Sequence, residues 1–428
     1  MRNSQPPTGP LPGRNKFPGK LRLLAGLLLV LVVLAGVLVV LVFQKQLFNP
    51  GSQSQTEATS TTGTQVCGVT KNADGTYHFS WLHVSSTGDV VDSNNCRVPL
   101  LGWNSIGAFQ GAGGSLGTSS SSPSVASSIH INIVRVAFNS RWYETDVYVP
   151  NQRMHYKAWM QKIVSTLESR GDYVMLDANN AFFEPPCGND GMGVNITFCP
   201  SEDQGRKDYS NPASPYYHNV AGLELYQPIA VQALSDLAQV YANDPAVLFD
   251  VWNEPGSYIF VTPNSVQSKV PDMNERIDAV RQFDPQSLVF VFSAGTTEDL
   301  GYKQPNLVFD FHIYPNFKGV SPVTHTTCST SSSNFSKVEP LMASLRKAGR
   351  AVFIGEWGHC YDIPSYNQQI VSLAETYNAG LAYFDETDLM NKSGGTKVLN
   401  ANGLLLQQDY NTLFGPSLSL HPGAPKAH

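Results

Sequence analysis

Three features of the chain predict an α/β fold, a (β/α)8 barrel of the TIM type. Short apolar runs recur eight times from Val98 onward, helix-patterned segments stand between them, and polar residues gather where the runs end. Near-continuous apolar runs suit strands covered on both faces, as parallel strands are. Strand then helix, repeated over roughly 300 residues, is the pattern of such a barrel. A doubly wound sheet is the alternative that the same alternation allows.

Before the barrel comes a different kind of segment. Leu23 to Phe43, "LLAGLLLVLVVLAGVLVVLVF", carries no charge and is long enough to cross a hydrocarbon core as a helix. A secretory signal has a shorter apolar region, about 7–15 residues, and a small-residue cleavage site that "QKQLFNPGS" lacks. Arg2, Arg14, Lys16, Lys20 and Arg22 precede the run, and Lys45 stands alone behind it. The positive-inside rule then places residues 1–22 in the cytoplasm, a single transmembrane signal-anchor at 23–43, and the rest outside the cell. Cleavage and secretion is the other option. Residues 44–66, including "GSQSQTEATSTTGTQ", read as a Ser/Thr-rich linker. The catalytic domain is expected over 67–415, with a tail at 416–428.

Of 428 residues only 14% are charged, the net charge is −6, and no basic cluster marks the body. That excludes a nucleic-acid footprint. The Gly-rich 111–117 lacks the Lys and the strand–helix setting of a phosphate loop, so no nucleotide is read. No H-E-x-x-H or C-x-x-C spacing appears, and neither a metal nor a cofactor is expected. All six cysteines, Cys67, Cys96, Cys187, Cys199, Cys328 and Cys360, follow the apolar run, which favours disulfides. Fifteen pairings are possible; nearest neighbours (67–96, 187–199, 328–360) are the expectation.

The strands follow in order. They are "VPLLGWN" (98–104), "INIVRVAF" (131–138), "YVMLDANN" (173–180), "AVLFDVWNEP" (246–255), "SLVFVFSAG" (287–295), "NLVFDFHIYP" (306–315), "AVFIGEWG" (351–358) and "AGLAYFDETD" (379–388). Helical periodicity is clearest at 155–171, 225–243, 338–349 and 370–380. The earlier 75–91 alternates and turns at Ser-Thr-Gly as a hairpin would, and is expected to plug the N-terminal end of the barrel. Its His78, Trp81 and His83 read as structural. In barrels of this type chemistry sits at the C-terminal strand ends. Here those ends carry "DANN", "NEPG", "HIYP" and "GEWG".

Two carboxylates therefore stand out, Glu254 after the fourth run and Glu356 after the seventh. Burial makes an ionised carboxylate expensive unless it is paired or hydrogen-bonded. Facing each other across the barrel mouth, one could protonate a leaving oxygen while the other attacks, the division of labour that cleaves a glycosidic bond. Trp252 and Trp357 beside them could stack on sugar rings, and Asn253 could bridge hydroxyls.

"WNEPG" and "IGEWG", with "GWN", "VRV" and "HIYP" in the same order, resemble glycoside hydrolase family 5, the cellulase family of retaining (β/α)8 glycosidases. The resemblance runs from about Cys67 to Phe414. It implies that Glu254 is the acid/base, Glu356 the nucleophile, Asn253 a partner of the sugar 2-hydroxyl and Arg135 the group that keeps the nucleophile ionised. It places Tyr314 against the nucleophile and His312 near the acid/base, with Trp357, Trp103 and Asn104 as further support. The departures are two. Asn179 stands where His is usual, and Phe384, Asp385 and Glu386 stand where strand eight commonly ends on a Trp. The implied activity is a membrane-anchored retaining endo-β-glycosidase acting on an oligo- or polysaccharide. β-1,4-Glucan is expected first, with mannan or β-1,3-glucan behind it. A transglycosylase and a non-catalytic carbohydrate-binding barrel are the alternatives.

Overall fold

In a computed structural model of the chain, the residues described are 64–105, 129, 131–146, 148–149, 152–178, 188–189, 195–196, 221–254, 270–293, 302, 304–313, 335–358, 364–384, 389–393, 396–399 and 401–414. All lie in the larger of two units, Thr62–His428. The expected membrane span at 23–43 and the tail at 416–428 lie outside them. Among the described residues no helix is long and apolar enough to cross a membrane.

Eight parallel strands close into a barrel: β1 (Leu101–Ser105), β2 (Ile133–Phe138), β3 (Tyr173–Ala178), β4 (Val247–Asp250), β5 (Val289–Phe292), β6 (Leu307–His312), β7 (Ala351–Trp357) and β8 (Gly380–Tyr383). Each expected run supplies one strand, and β8 pairs with β1 to complete the ring. Around it stand α1 (Ser140–Thr145), α2 (Tyr156–Glu168), α3 (Ala221–Val240), α4 (Val270–Arg281), α5 (Phe335–Lys347), α6 (Pro364–Tyr377) and α7 (Ala401–Phe414). Gly171 and Gly349, just past α2 and α5, adopt φ of 87° and 70°, a conformation that ends a helix cheaply only without a Cβ. The sequence did not announce α4, because Arg276 sits among the buried face of Met273, Ile277 and Val280.

Strand pleating sorts side chains to two sides. Val134, Val136, Val247, Phe249, Val289 and Val291 pack outward in the large core shared with the helices. Ile133, Tyr173, Met175, Leu248, Phe290, Val308 and Phe353 fill the inside of the ring. Each such large side chain contributes roughly 1.5–3 kcal/mol when fully buried.

Thr64–Val66, Val69–Lys71 and Tyr77–Phe79 form a three-stranded antiparallel sheet. Thr64–Val66, expected to be linker, is therefore a strand. The expected hairpin is shorter than 75–91: His83–Val84 pairs with Val90–Val91, while Tyr77–Phe79 turns back onto Val69–Lys71. The plug itself is present. Val69, Phe79 and Leu82 belong to the interior core, and the Tyr173 hydroxyl donates 2.7 Å to the Gly68 carbonyl. Cys67 and Cys96 are joined in a disulfide; Cys187, Cys199, Cys328 and Cys360 lie outside the described residues.

Candidate active site

One layer above the apolar interior, the barrel turns polar. Arg135 on β2 points to the axis and is fully buried. A guanidinium has five N–H donors, and all five are used. Nε donates 3.0 Å to Asp250 Oδ2, and Nη1 donates 2.8 Å to Asn104 Oδ1 and 2.9 Å to Glu356 Oε1. Nη2 donates 2.8 Å to Asp250 Oδ2 and 2.8 Å to Asn253 Oδ1, with Asp177 Oδ2 3.2 Å away. Asn104 in turn donates 2.7 Å to the Gly355 carbonyl, tying β1 to β7.

Glu356 reaches this hub through an irregularity. Alternation along β7 from Phe353 would point Gly355 inward and Glu356 outward. However, Ile354 pairs with Leu381 and Trp357 with Tyr383, so Gly355 and Glu356 share the space opposite Ala382 alone. This β-bulge re-aims the carboxylate into the barrel mouth, as bulges do beside active sites. Glu254 uses a different device. It follows β4 with φ of 40°, a left-handed conformation that non-glycine residues adopt at some strain. Its Oε1 lies 2.7 Å from His312 Nδ1. That nitrogen is 3.5 Å from Glu356 Oε2. Glu254, His312 and Glu356 each offer one atom within 4.8 Å of the others. Such closeness would also admit a cation, but the Arg135 guanidinium already occupies Glu356 Oε1 and opposes one.

The protonation states follow from the crowding. Burial disfavours charge on His312, but Glu356, Asp310 and Glu254 outweigh it and hold the imidazole well above its ordinary value. Arg135 is likewise held charged against burial by Asp177, Asp250 and Glu356. Asp250 is pushed up to about 6 by burial despite Arg135, and burial drives Asp177 well above the carboxylate range. The two glutamates differ in partner: Glu356 is bonded to the Arg135 guanidinium with the His312 ring 3.5 Å away, and Glu254 meets that ring at 2.7 Å. Two carboxyl groups so placed divide acid and nucleophile work, and retaining glycosidases hold them about 5–5.5 Å apart.

Of the residues expected from the sequence, Arg135, Asn253, Glu254, His312, Glu356 and Asn104 come together here. Asn179, Tyr314, Asp385 and Glu386 lie outside the described residues. The tryptophans need correction. Trp103 is outward-facing and buried in the outer core. Trp252 and Trp357 are only 2% and 1% exposed, so neither offers a ring face to a sugar. Arg276 of α4 covers Trp252 at 3.8 Å, and Trp357 packs edge-on against Tyr383. Phe384, at the end of β8, is half-buried and its N–H donates to the Trp357 carbonyl.

Three site residues escaped the sequence reading: Asp177, Asp250 and Asp310. Their signal was present as a lone acid inside each of "VMLDA", "LFDVW" and "LVFDFH". A buried acid in an apolar run needs a buried partner, and Arg135 is the partner of the first two.

Over residues 91–389 the chain matches the model of the cellulase family, glycosyl hydrolase family 5. The chain belongs to that family. The resemblance carried by "WNEPG" and "IGEWG" is thereby borne out, and the protein is a retaining glycoside hydrolase with a carbohydrate substrate. Solved structures with a similar fold include an endogalactoceramidase, 19% identical with a TM-score of 0.52 over 78% of this chain and 84% of that one. Endo-glycoceramidase II from Rhodococcus sp., in complex with a cellobiose-like isofagomine, is 18% identical with a TM-score of 0.51 over 78% and 81%. The catalytic domain of the Thermobifida fusca endoglucanase Cel5A is 17% identical with a TM-score of 0.49 over 77% and 97%. At such identities the likeness to the first two concerns the fold.

Proposed function

We propose that this family 5 enzyme is a membrane-anchored endo-β-glycosidase working outside the cytoplasm. Glu356 is its nucleophile and Glu254 its acid/base. The observation that carries the roles is the carboxylate pair within 4.8 Å, one member bonded to Arg135 and the other to His312. Glu356, oriented by its bond to the guanidinium, attacks the anomeric carbon while Glu254 gives its proton to the departing oxygen. The glycosyl–Glu356 ester then yields to water, whose proton Glu254 takes, so both carboxyl groups return to their starting states. Asn253, held by Arg135 through its Oδ1, keeps its amide N–H groups for the sugar 2-hydroxyl.

β-1,4-Glucan is the first substrate, with mannan and β-1,3-glucan behind it. The test is release of reducing sugar from a panel of these polymers by wild type and by Glu356→Gln. Equal turnover by both would sink the assignment. Binding without product from any member would leave a carbohydrate-binding barrel, and longer products with added acceptor would mark a transglycosylase.

A β-linked glycolipid headgroup is a second reading, favoured by the apolar run 23–43. An anchor with a linker of about 20 residues keeps the barrel within roughly 25 Å of a bilayer, where lipid-borne sugars are concentrated. The Rhodococcus endo-glycoceramidase has been solved in complex with ganglioside GM3. Adding vesicles with a β-glucosyl lipid to the panel separates the two readings. Protease accessibility in sealed membranes tests the anchor and its orientation.

A further inference from the structure

Asp310 has no part in the steps above, yet it is built into the same cluster. Its side chain is 1% exposed. Oδ1 accepts 2.6 Å from the Gly355 N–H. A Cβ on Gly355 would overlap both of its carboxylate oxygens, so the glycine beside Glu356 is there to seat this acid. Oδ2 lies 3.5 Å from His312 Nε2, an ion-pair distance, and neither atom has a hydrogen-bond partner among the described residues, so each is the other's nearest polar complement. The opposite ring nitrogen, Nδ1, is the one that meets Glu254 Oε1.

The direction of that last hydrogen bond matters. With a hydrogen on Nδ1, His312 donates to Oε1 and the transferable proton of Glu254 must sit on the other oxygen, Oε2. With Nδ1 bare, the acid proton of Glu254 turns toward the ring and away from the leaving oxygen. A neutral ring that gives its one hydrogen to Asp310 is bare at Nδ1. Only a ring protonated on both nitrogens satisfies Asp310 and Glu254 together.

We propose that Asp310 is a positioning residue that holds His312 doubly protonated, so that Nδ1–H donates to Glu254 and confines the catalytic proton to Oε2. This rests on Glu254 being the acid/base. The other groups around the ring agree with it. Glu356 approaches Nδ1 at 3.5 Å, and Arg135 neutralises the far oxygen of that carboxylate. Asp177 and Asp250 act on the ring from a greater distance. The remaining face is Phe292 of β5, edge-on with ring centroids 4.8 Å apart, which brings no charge.

The experiment compares Asp310→Ala and Asp310→Asn with wild type in pH profiles of kcat/KM, using two aryl β-glycosides. One has a poor leaving group that needs the proton, and one has a dinitrophenolate that does not. Asp310→Ala lowers the pH at which the ring gives up its second hydrogen and leaves nothing at Nε2 to fix the remaining one on Nδ1, so the alkaline limb on the poor leaving group should move down by about one pH unit, a loss of about tenfold above the limb. The dinitrophenyl substrate should keep its profile. Asp310→Asn can donate its amide to Nε2, which leaves a neutral ring with hydrogen on Nδ1, and should recover the proton-dependent substrate. An unshifted limb in Asp310→Ala, or equal loss on both substrates, would overturn the proposal in favour of a structural role. Should Asp310→Ala not fold, 15N NMR of the histidine ring in wild type decides, since two protonated nitrogens are required at pH 7. A wild type that cleaves no β-glycoside would instead overturn the acid/base reading, while the ring spectrum would still report on Asp310.

Discussion

Replacing Arg135 by Met removes the hub while nearly keeping the volume. Asp250 and Glu356 lose donors at 2.8–3.0 Å and Asp177 loses its counter-charge at 3.2 Å, all inside the barrel. Removing one partner of a buried ion pair costs about 3–5 kcal/mol, against a total stability on the order of 5–15 kcal/mol. The orphaned carboxylates can lessen that loss only by taking up protons. Burial already pushes Asp250 up to about 6 and raises Asp177 well above its ordinary value, so the variant should bind still more protons when folded. A raised folded-state value means stability that is present at low pH and lost as pH rises through it. The destabilisation should therefore be small at pH 5 and full at pH 8, on the order of 10 °C in Tm for a domain this large. Glu356, without its donor at 2.9 Å, is no longer fixed in the barrel mouth, and kcat/KM at pH 7 should fall by at least about 100-fold. Thermal unfolding by circular dichroism at the two pH values, with aryl β-glycoside hydrolysis alongside, measures both effects. A Tm loss equal at pH 5 and 8, or full activity at pH 7, would refute the reasoning. Arg135→Lys should rescue little, since three rotating donors cannot replace a planar fork that serves four side chains.

Glu254→Gln should slow substrates with poor leaving groups by at least about 10²-fold and spare the first step of dinitrophenyl glycosides, where added azide should restore turnover as a glycosyl azide; product analysis checks this. Tyr173→Phe leaves the Gly68 and Ser80 carbonyls without their donor at 2.7 and 3.0 Å, and should cost about 1–3 kcal/mol in denaturant unfolding with kcat unchanged. At the other end of the barrel, burial and a hydrogen bond to Asp244 raise Glu168 from 4.5 to about 8. Its contribution is full below its unfolded value and lost as pH rises through 8, so Tm should fall over that window and Glu168→Gln should flatten the fall.

Much of the site was readable along the chain because each piece is local. "NEP" and "GEW" mark strand ends, and although one carboxylate closing an apolar run is commonly a loop anchor or helix cap, two of them point to paired chemistry. Asp177, Asp250 and Asp310 were visible as lone acids but had no assignable role, since their partners lie on other strands. The tryptophans beside the glutamates misled for the opposite reason. Their neighbours in sequence are polar, but the pleat and the covering Arg276 turn them into core.

The order of strands, the closed ring and the two glutamates follow from patterns of period two and 3.6, which any short window of the chain displays. What the windows did not contain is direction. The extra residue between Ile354 and Trp357 turns Glu356 from the helix side to the axis, and a left-handed backbone at Glu254 brings its carboxylate to His312. Both depend on register against neighbouring strands, and register is a sum of contacts between distant residues. Only the assembled barrel could bring seven ionisable groups so close that the charge of each depends on the others.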